Sequence, residues 1–200
     1  MLAIRDVWQW RLIAAAGCVA LTVLAPRDGR RHAAPVRFVP RGHMAPPPPA
    51  TRAVLDTRFG AITCTLDAHH APATVASFAN LARAGFYNGL TFHRVIPGFI
   101  IQGGDPNGNG TGGPGYTIPD EIAPDLAFDR PGVLAMANAG KNTAGSQFFI
   151  TDAPAHWIDH TSTIFGHCDH PEVVHAIASV PRSTADAPIK PVVIERVTIE

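Results

Sequence analysis

No Cys-x-x-Cys pair occurs in the 200 residues, and the three cysteines, Cys18, Cys64 and Cys168, lay out neither a disulfide framework nor a thiolate zinc site. Cys64 and Cys168 are read as buried free thiols. A bond between them is the alternative if the domain folds in an oxidising compartment. Net charge is also missing, since 16 basic and 16 acidic residues cancel. The cancellation hides an asymmetry: residues 1–50 hold seven arginines against Asp6 and Asp28, which leaves an acidic remainder. An acidic body lacks the clustered cations that a phosphate backbone requires, so no nucleic-acid partner is expected. There is no internal repeat and no long apolar run. The 14-residue, largely apolar run at 12–25, behind Arg5 and Arg11, is too short to span a bilayer comfortably.

That short run fits the h-region of a secretory signal. Val23-Leu24-Ala25 resembles a small-residue cleavage site, although Pro26 follows it, and Ala15-Ala16-Gly17-Cys18 resembles a lipoprotein site. A periplasmic or membrane-tethered protein is expected, with membrane contact only through this segment. A start at Met44 would instead leave a cytoplasmic chain. Residues 26–50 hold seven prolines and five arginines and end in Pro46-Pro47-Pro48-Pro49, so they are read as a semi-rigid linker. The expected organisation is a signal-like or anchor segment at 1–25, a linker at 26–50 and one domain at 51–200.

Within that domain, Ala53–Thr57 and Ala61–Leu66 flank Phe59-Gly60 and predict a hairpin. Pro72 opens a stretch with Val75, Phe78, Ala79 and Leu81-Ala82 at helical spacing, and Gly85 closes it. Short apolar segments at 91–96, 98–102, 132–137, 147–151 and 163–167 predict strands. Glu172–Ser179 predicts a second helix and Val192–Ile199 a closing strand. Many strands with few helices predict an all-β body, closed into a barrel whose open ends the helices cover.

Two stretches carry the chemistry. In Phe92-His93-Arg94-Val95-Ile96-Pro97-Gly98-Phe99-Ile100-Ile101-Gln102-Gly103-Gly104-Asp105, alternation brings Arg94 near Ile96 and Phe99 or Gln102, a cation against an apolar wall. The second is Gly132-Val133-Leu134-Ala135-Met136-Ala137-Asn138-Ala139-Gly140, then Asn142-Thr143 and Gly145-Ser146-Gln147-Phe148-Phe149-Ile150. Together with Trp157-Ile158-Asp159 and Thr163-Ile164-Phe165-Gly166, these motifs closely resemble the cyclophilins, from about Val54 to the C-terminus.

The resemblance implies an eight-stranded antiparallel closed β-barrel with two capping helices, and peptidyl-prolyl cis–trans isomerase activity on proline-containing polypeptides. Carried over, Arg94 would be the catalytic cation, Gln102 would orient it, and Phe99, Ile100, Phe149 and Ile158 would line the proline pocket. Ala137, Asn138 and Ala139 would offer an edge to the peptide backbone, while Gly110, Gln147 and Trp157 would border the groove. Ser162 stands where many members carry a pocket-lining histidine, Ile100 where methionine is frequent, and Lys141 where proline is common. Trp157 matches cyclosporin-sensitive members, so a cyclosporin-type cyclic peptide is an expected ligand. A monomer is expected. A non-catalytic peptide-binding or chaperone module on the same fold is the alternative reading.

Bond rotation needs neither metal nor cofactor, and none is expected. Gly108–Gly113 satisfies GxGxxG, but Pro114 and Pro119 block the helix that a dinucleotide site requires. His156, His160, His167, His170 and His175 lack zinc-site spacing and are read as surface residues, and His69-His70 falls in a turn. Ser146 has no GxSxG elbow around it, which argues against a hydrolase.

Overall fold

The computed structural model describes residues 50–200. The segment 1–25 and all but the end of the linker lie outside the described residues, with the cleavage, lipidation and Met44 readings placed on them.

Strands β1 (Arg52–Thr57) and β2 (Gly60–Leu66) form the expected hairpin around Arg58-Phe59. Thr57 clasps the turn: its Oγ1 donates to the Gly60 carbonyl at 2.8 Å and accepts from the Phe59 N–H at 3.0 Å. Gly60 sits at φ +124°, a conformation closed to residues with a Cβ. Helix α1 (Pro72–Arg83) starts on a proline whose ring presets φ and whose missing N–H the first turn does not need. Ala71 gives it no side-chain cap. Glu121 supplies one from 47 residues away, its carboxylate accepting from Ala73 N–H at 3.0 Å, Thr74 N–H at 2.8 Å and Thr74 Oγ1 at 2.7 Å. Gly85, at φ +73°, ends the helix.

The rest comprises β3 (Arg94–Ile96), β4 (Ile100–Gly103), β5 (Val133–Met136), β6 (Phe148–Thr151), a 3₁₀ turn (His156–Ile158), β7 (Ile164–Cys168), α2 (Pro171–Ala178) and β8 (Ile194–Ile199). The eight strands form one sheet in the order β3-β4-β6-β5-β7-β2-β1-β8, with antiparallel pairing throughout.

The sheet curls but does not close, which corrects the expected closed barrel. β3 and β8 are its edges and share no ladder. A short antiparallel stitch about the Thr91–Val193 bridge links the residues before β3 to the start of β8, with Phe92 N–H donating to Val192 O at 2.9 Å, Ile194 N–H to Leu90 O at 2.8 Å and Gly89 N–H to Ile194 O at 2.8 Å. β3 is three residues long, and the chain leading to β8 carries Pro181, Pro188 and Pro191, which have no N–H to give a ladder.

The concave side holds the main core. Phe78 and Leu81 of α1 and Val174 and Ile177 of α2 pack there with Leu55, Ile62, Phe92, Ile101, Leu134, Phe148 and Phe165. Phe78 is its hub, with ring centroids 5.0 Å from Tyr87, 5.6 Å from Phe148 and 5.3 Å from Phe165.

Cys64 and Cys168 also lie in this core, and here the free-thiol reading is corrected. The two residues stand directly opposite in the β2–β7 ladder, 3.8 Å apart at Cα, and are joined by a disulfide. Spacing of 104 residues along the chain hid a cross-strand pair.

Candidate active site

A row of side chains crosses five strands on the convex face. Arg94 of β3 pairs with Gln102 of β4, Gln102 with Phe149 of β6, Phe149 with Ala135 of β5, and Ala135 with Ile164 of β7. Cross-strand neighbours point to the same face, so the row sets a guanidinium at one end of an apolar floor.

Period-2 alternation produces that floor. Ile101, Phe148, Ile150, Leu134, Met136 and Phe165 face the main core, whereas Ile100, Phe149, Val133, Ala135 and Ile164 form a second apolar cluster. Because both faces of β4 to β7 are covered, their sequences run continuously apolar instead of alternating with polar residues. Phe99, Ala137 and Ile158 pack at the rim of the second cluster. The structure thus brings together Phe99, Ile100, Phe149 and Ile158, as the motif matches implied. It adds Phe128, wholly buried and stacked on Phe149 with ring centroids 5.6 Å apart. Sequence reading missed Phe128 because Leu126-Ala127-Phe128 is an isolated apolar triplet in an irregular stretch.

The polar end is a directed chain of hydrogen bonds. Gln147 Nε2 donates to the carbonyls of Gly110 at 3.1 Å and Gly112 at 2.9 Å. That sets Gln147 Oε1 to accept from Gln102 Nε2 at 3.0 Å, and Gln102 Oε1 in turn accepts from Arg94 Nη1 at 3.3 Å. Each amide spends its donor on the preceding group and shows its acceptor to the next, so the orientation of both glutamines is determined.

Asp105 organises the loop where this chain begins. Its buried carboxylate accepts from the N–H groups of Asn107 at 2.8 Å, Asn109 at 2.9 Å and Gly110 at 2.5 Å. Desolvation is the largest influence on its pKa and acts upward, but the three N–H donors and His93 outweigh it and hold the group below 3.8. The Gly108–Gly113 segment is therefore a loop wrapped on a carboxylate, not a phosphate cradle. His93 lies beside Asp105, Arg94 and the Thr91 backbone, with both ring nitrogens buried. Desolvation pushes its pKa below 6.5, Asp105 opposes this and Arg94 reinforces it.

Asn138 forms the opposite wall. Its Nδ2 donates to Thr161 O at 2.9 Å and to Ser162 Oγ at 3.3 Å. Ser162 thus helps orient Asn138. Ala137 N–H donates to Gln147 O at 2.9 Å and Ala139 N–H to Thr143 Oγ1 at 2.8 Å, which leaves an edge rich in acceptors. Between Gln102, Gly110, Gln147 and Ala137–Ala139 lies a cleft of about 670 Å³. Asn107, Thr111 and Tyr116 line it as well. They come from a Gly/Pro-rich loop without periodicity, so the sequence carried no signal for them. Trp157, 67 % exposed, stands over Phe99 with ring centroids 5.3 Å apart. Ser146 turns inward, donating from Oγ to Gly104 O at 2.7 Å, and is no nucleophile.

The site therefore pairs an oriented cation with an apolar floor and a cleft for an extended chain, and offers no group for bond cleavage. Residues 52–199 match the family model described as cyclophilin type peptidyl-prolyl cis-trans isomerase/CLD. Over 165 residues the chain is 46% identical to a probable peptidyl-prolyl cis-trans isomerase A of Mycobacterium leprae, covering 74% of this chain and 91% of the relative. Peptidyl-prolyl cis-trans isomerase B of Streptomyces anulatus is 47% identical over 167 residues, covering 74% of this chain and 95% of the relative. A crystal structure of a Cryptosporidium parvum cyclophilin type isomerase superposes with TM-score 0.73 at 35% identity, covering 76% of this chain and 98% of that one. The same protein in the presence of the dipeptide Ala-Pro gives TM-score 0.72 at 36% identity, covering 74% and 98%. The chain belongs to the cyclophilin-type peptidyl-prolyl cis–trans isomerases.

Proposed function

We propose that the isomerase activity of this chain rests on Arg94, held by Gln102, acting on a proline seated over Phe149. The observation that carries the reading is the continuous row Arg94–Gln102–Phe149 across β3, β4 and β6. Rotation of an Xaa–Pro bond breaks amide resonance, at a barrier of about 18–20 kcal/mol. In the twisted state the proline nitrogen recovers its lone pair and becomes an acceptor. A guanidinium N–H fixed at that nitrogen favours the twisted state over the planar one, and such differential binding is catalysis. Phe99, Ile100, Ile158 and Phe149, backed by Phe128, hold the ring while the acyl side turns, and the polypeptide continues past Ala137–Ala139 and Gln147. All these groups come from one chain, so a monomer suffices.

The test is Arg94→Ala, measured on an Xaa–Pro peptide. kcat/KM should fall by about 10²–10³ with native circular dichroism, the loss typical of one preorganised donor. Arg94→Lys should recover only part of it, because the planar fork is lost. Near-normal turnover in a folded Arg94→Ala protein would exclude the mechanism and favour a peptide-binding module.

We extend the reading to ligand and compartment. The exposed Trp157 indole, packed at a tilt against Phe99, offers an apolar face and one N–H to a cyclosporin-type cyclic peptide. Trp157→Phe should weaken inhibition and spare turnover, and Ser162→His should strengthen inhibition. Equal inhibition of Trp157→Phe and parent would remove the indole from the account. The buried Cys64–Cys168 disulfide supports folding in an oxidising compartment, periplasmic or membrane-tethered, since cytosolic thiols are kept reduced. Mass spectrometry of the native N-terminus, with cell fractionation, tests the placement.

A further inference from the structure

We propose that the turn between β2 and α1 binds a divalent transition cation, with Asp67, His69 and His70 as ligands and Asp125 orienting His70. One donor atom from each of Asp67, His69 and His70 lies within 4.8 Å of the others. The turn is built to hold the carboxylate in one attitude. Asp67 Oδ1 accepts the backbone N–H groups of His69 and His70, each at 3.1 Å, and the other oxygen, Oδ2, faces His70 Nδ1 at 2.6 Å. Both ends of the turn are tied down, Asp67 N–H to Phe165 O at 2.8 Å and Ala71 N–H to Asp67 O at 3.1 Å.

His70 carries the second half of the argument. Its far nitrogen, Nε2, lies 3.3 Å from Asp125 Oδ2, on a loop more than fifty residues further along. A histidine that ligates a metal through one nitrogen characteristically donates its other N–H to a carboxylate, which fixes the tautomer and raises basicity. Asp125 stands in that position. Its loop is itself anchored, because Glu121 caps α1 and donates its backbone N–H to Thr163 Oγ1 at 2.8 Å. His69 completes the set, its ring edge-on to His70 with centroids 4.7 Å apart. Metal–ligand bonds of about 2.0–2.2 Å set the donors of a four-coordinate ion about 3.3 Å apart, so Asp67 Oδ2 and His70 Nδ1, 2.6 Å apart, open slightly as the ion replaces the proton between them, and His69 draws in. The larger move falls to His69, whose exposed side chain turns at little cost. Two imidazoles and a carboxylate select a borderline ion such as Zn²⁺ over Ca²⁺ or Mg²⁺, which take oxygen ligands. Water fills the fourth position. The bound ion pins the β2–α1 turn, and through His70 and Asp125 it also pins the loop that ends in Phe128.

The competing reading is a plain ion pair, in which His70 is a cation between two carboxylates and His69 has no part. His69 therefore decides the matter. The full chain is stripped with a chelator and titrated with ZnCl₂ by calorimetry, and its thermal midpoint is followed in parallel. One Zn²⁺ site per chain is expected. His69→Ala and His70→Gln should each weaken it by at least about tenfold, and Asp125→Ala by about 10–100-fold, the usual cost of losing such a carboxylate. Zinc should raise the midpoint of the parent and leave that of His69→Ala unchanged, since a ligand stabilises only the state that binds it. His69→Ala removes an exposed ring and should not disturb folding. If it binds Zn²⁺ as the parent does, or if the parent binds none, the site does not exist.

Discussion

A guanidinium carries five N–H donors in one plane, and Arg94 lends one of them to Gln102 Oε1. The glutamine chain running back to Gly110 and Gly112 therefore aims the cation without neutralising it. Replacing Gln102 by Leu should lower kcat/KM while leaving Arg94 present, and Gln147→Leu, one bond further back, should lower it less. Equal losses from the two would show that they act on the peptide directly. His93 and Asp105 make a different prediction, about acid stability. Both have folded-state pKa values below their ordinary 6.5 and 3.8, desolvation lowering the first and backbone N–H donors outweighing desolvation in the second. The unfolded chain therefore takes up protons before the folded one does, so stability rises with pH through each window. The His93 contribution is complete above 6.5 and is lost as pH falls towards its folded pKa. That of Asp105 is complete above 3.8 and is lost as pH falls below it. Denaturant midpoints measured from pH 8 to 3 should fall in two steps. His93→Gln should shrink the first, which the raised pKa of His70 opposes, and Asp105→Asn should shrink the second, which Asp67 and Asp159 share.

Elements carry a second set of consequences. β4 to β7 bury both faces, one against α1 and α2 and one beneath the groove, so a substitution on either face is felt by the other through the shared backbone. Phe78→Ala, at the hub of the core, should cost about 3–5 kcal/mol. The Cys64–Cys168 bond ties β2 to β7, the strand that also carries Ile164 of the groove floor. Closing a loop of this length should contribute about 2–4 kcal/mol, mostly by restricting the unfolded chain. The Cys64→Ala/Cys168→Ala protein, or the parent under reductant, should unfold at correspondingly lower denaturant. Unchanged midpoints would mean that the ladder alone supplies the stability there.

On the scale of the molecule, an open curled sheet leaves two edges, and the chain protects both. β3 has three residues and too little length to template another strand, and β8 carries the exposed charges of Glu195 and Arg196. Among the described residues no helix is long and apolar enough to cross a membrane. The main core draws on residues from Ala50 to Val197. A chain starting at Ala50 should accordingly fold and isomerise like the full one, by circular dichroism and peptide assay. Loss of either would mean that residues 1–49 pack on the domain. Removal of divalent metal should lower the thermal midpoint but leave the isomerisation rate unchanged, because bond rotation uses no ion.

The order of elements, the polarity of each strand and the identity of Arg94, Phe99, Gln102 and Phe149 as site candidates were legible in the sequence. Apolar periodicity, Pro72 and Gly85 at the ends of α1, and three ordered motifs are local signals. The β1–β2 hairpin and α1 accordingly end within a residue or two of where their turn residues put them. Everything that depended on which strands lie side by side waited for the tertiary structure. Cys64 meets Cys168, Glu121 caps a helix it never adjoins in sequence, Phe128 slides beneath Phe149, and His70 reaches Asp125. The sheet stays open because edge pairing is decided by the lengths and donors of two segments that meet only in space. Periodicity reports which face of a strand is buried. It is silent about the neighbour that buries it, because that choice is made by packing between residues whose separation along the chain leaves no trace in local pattern.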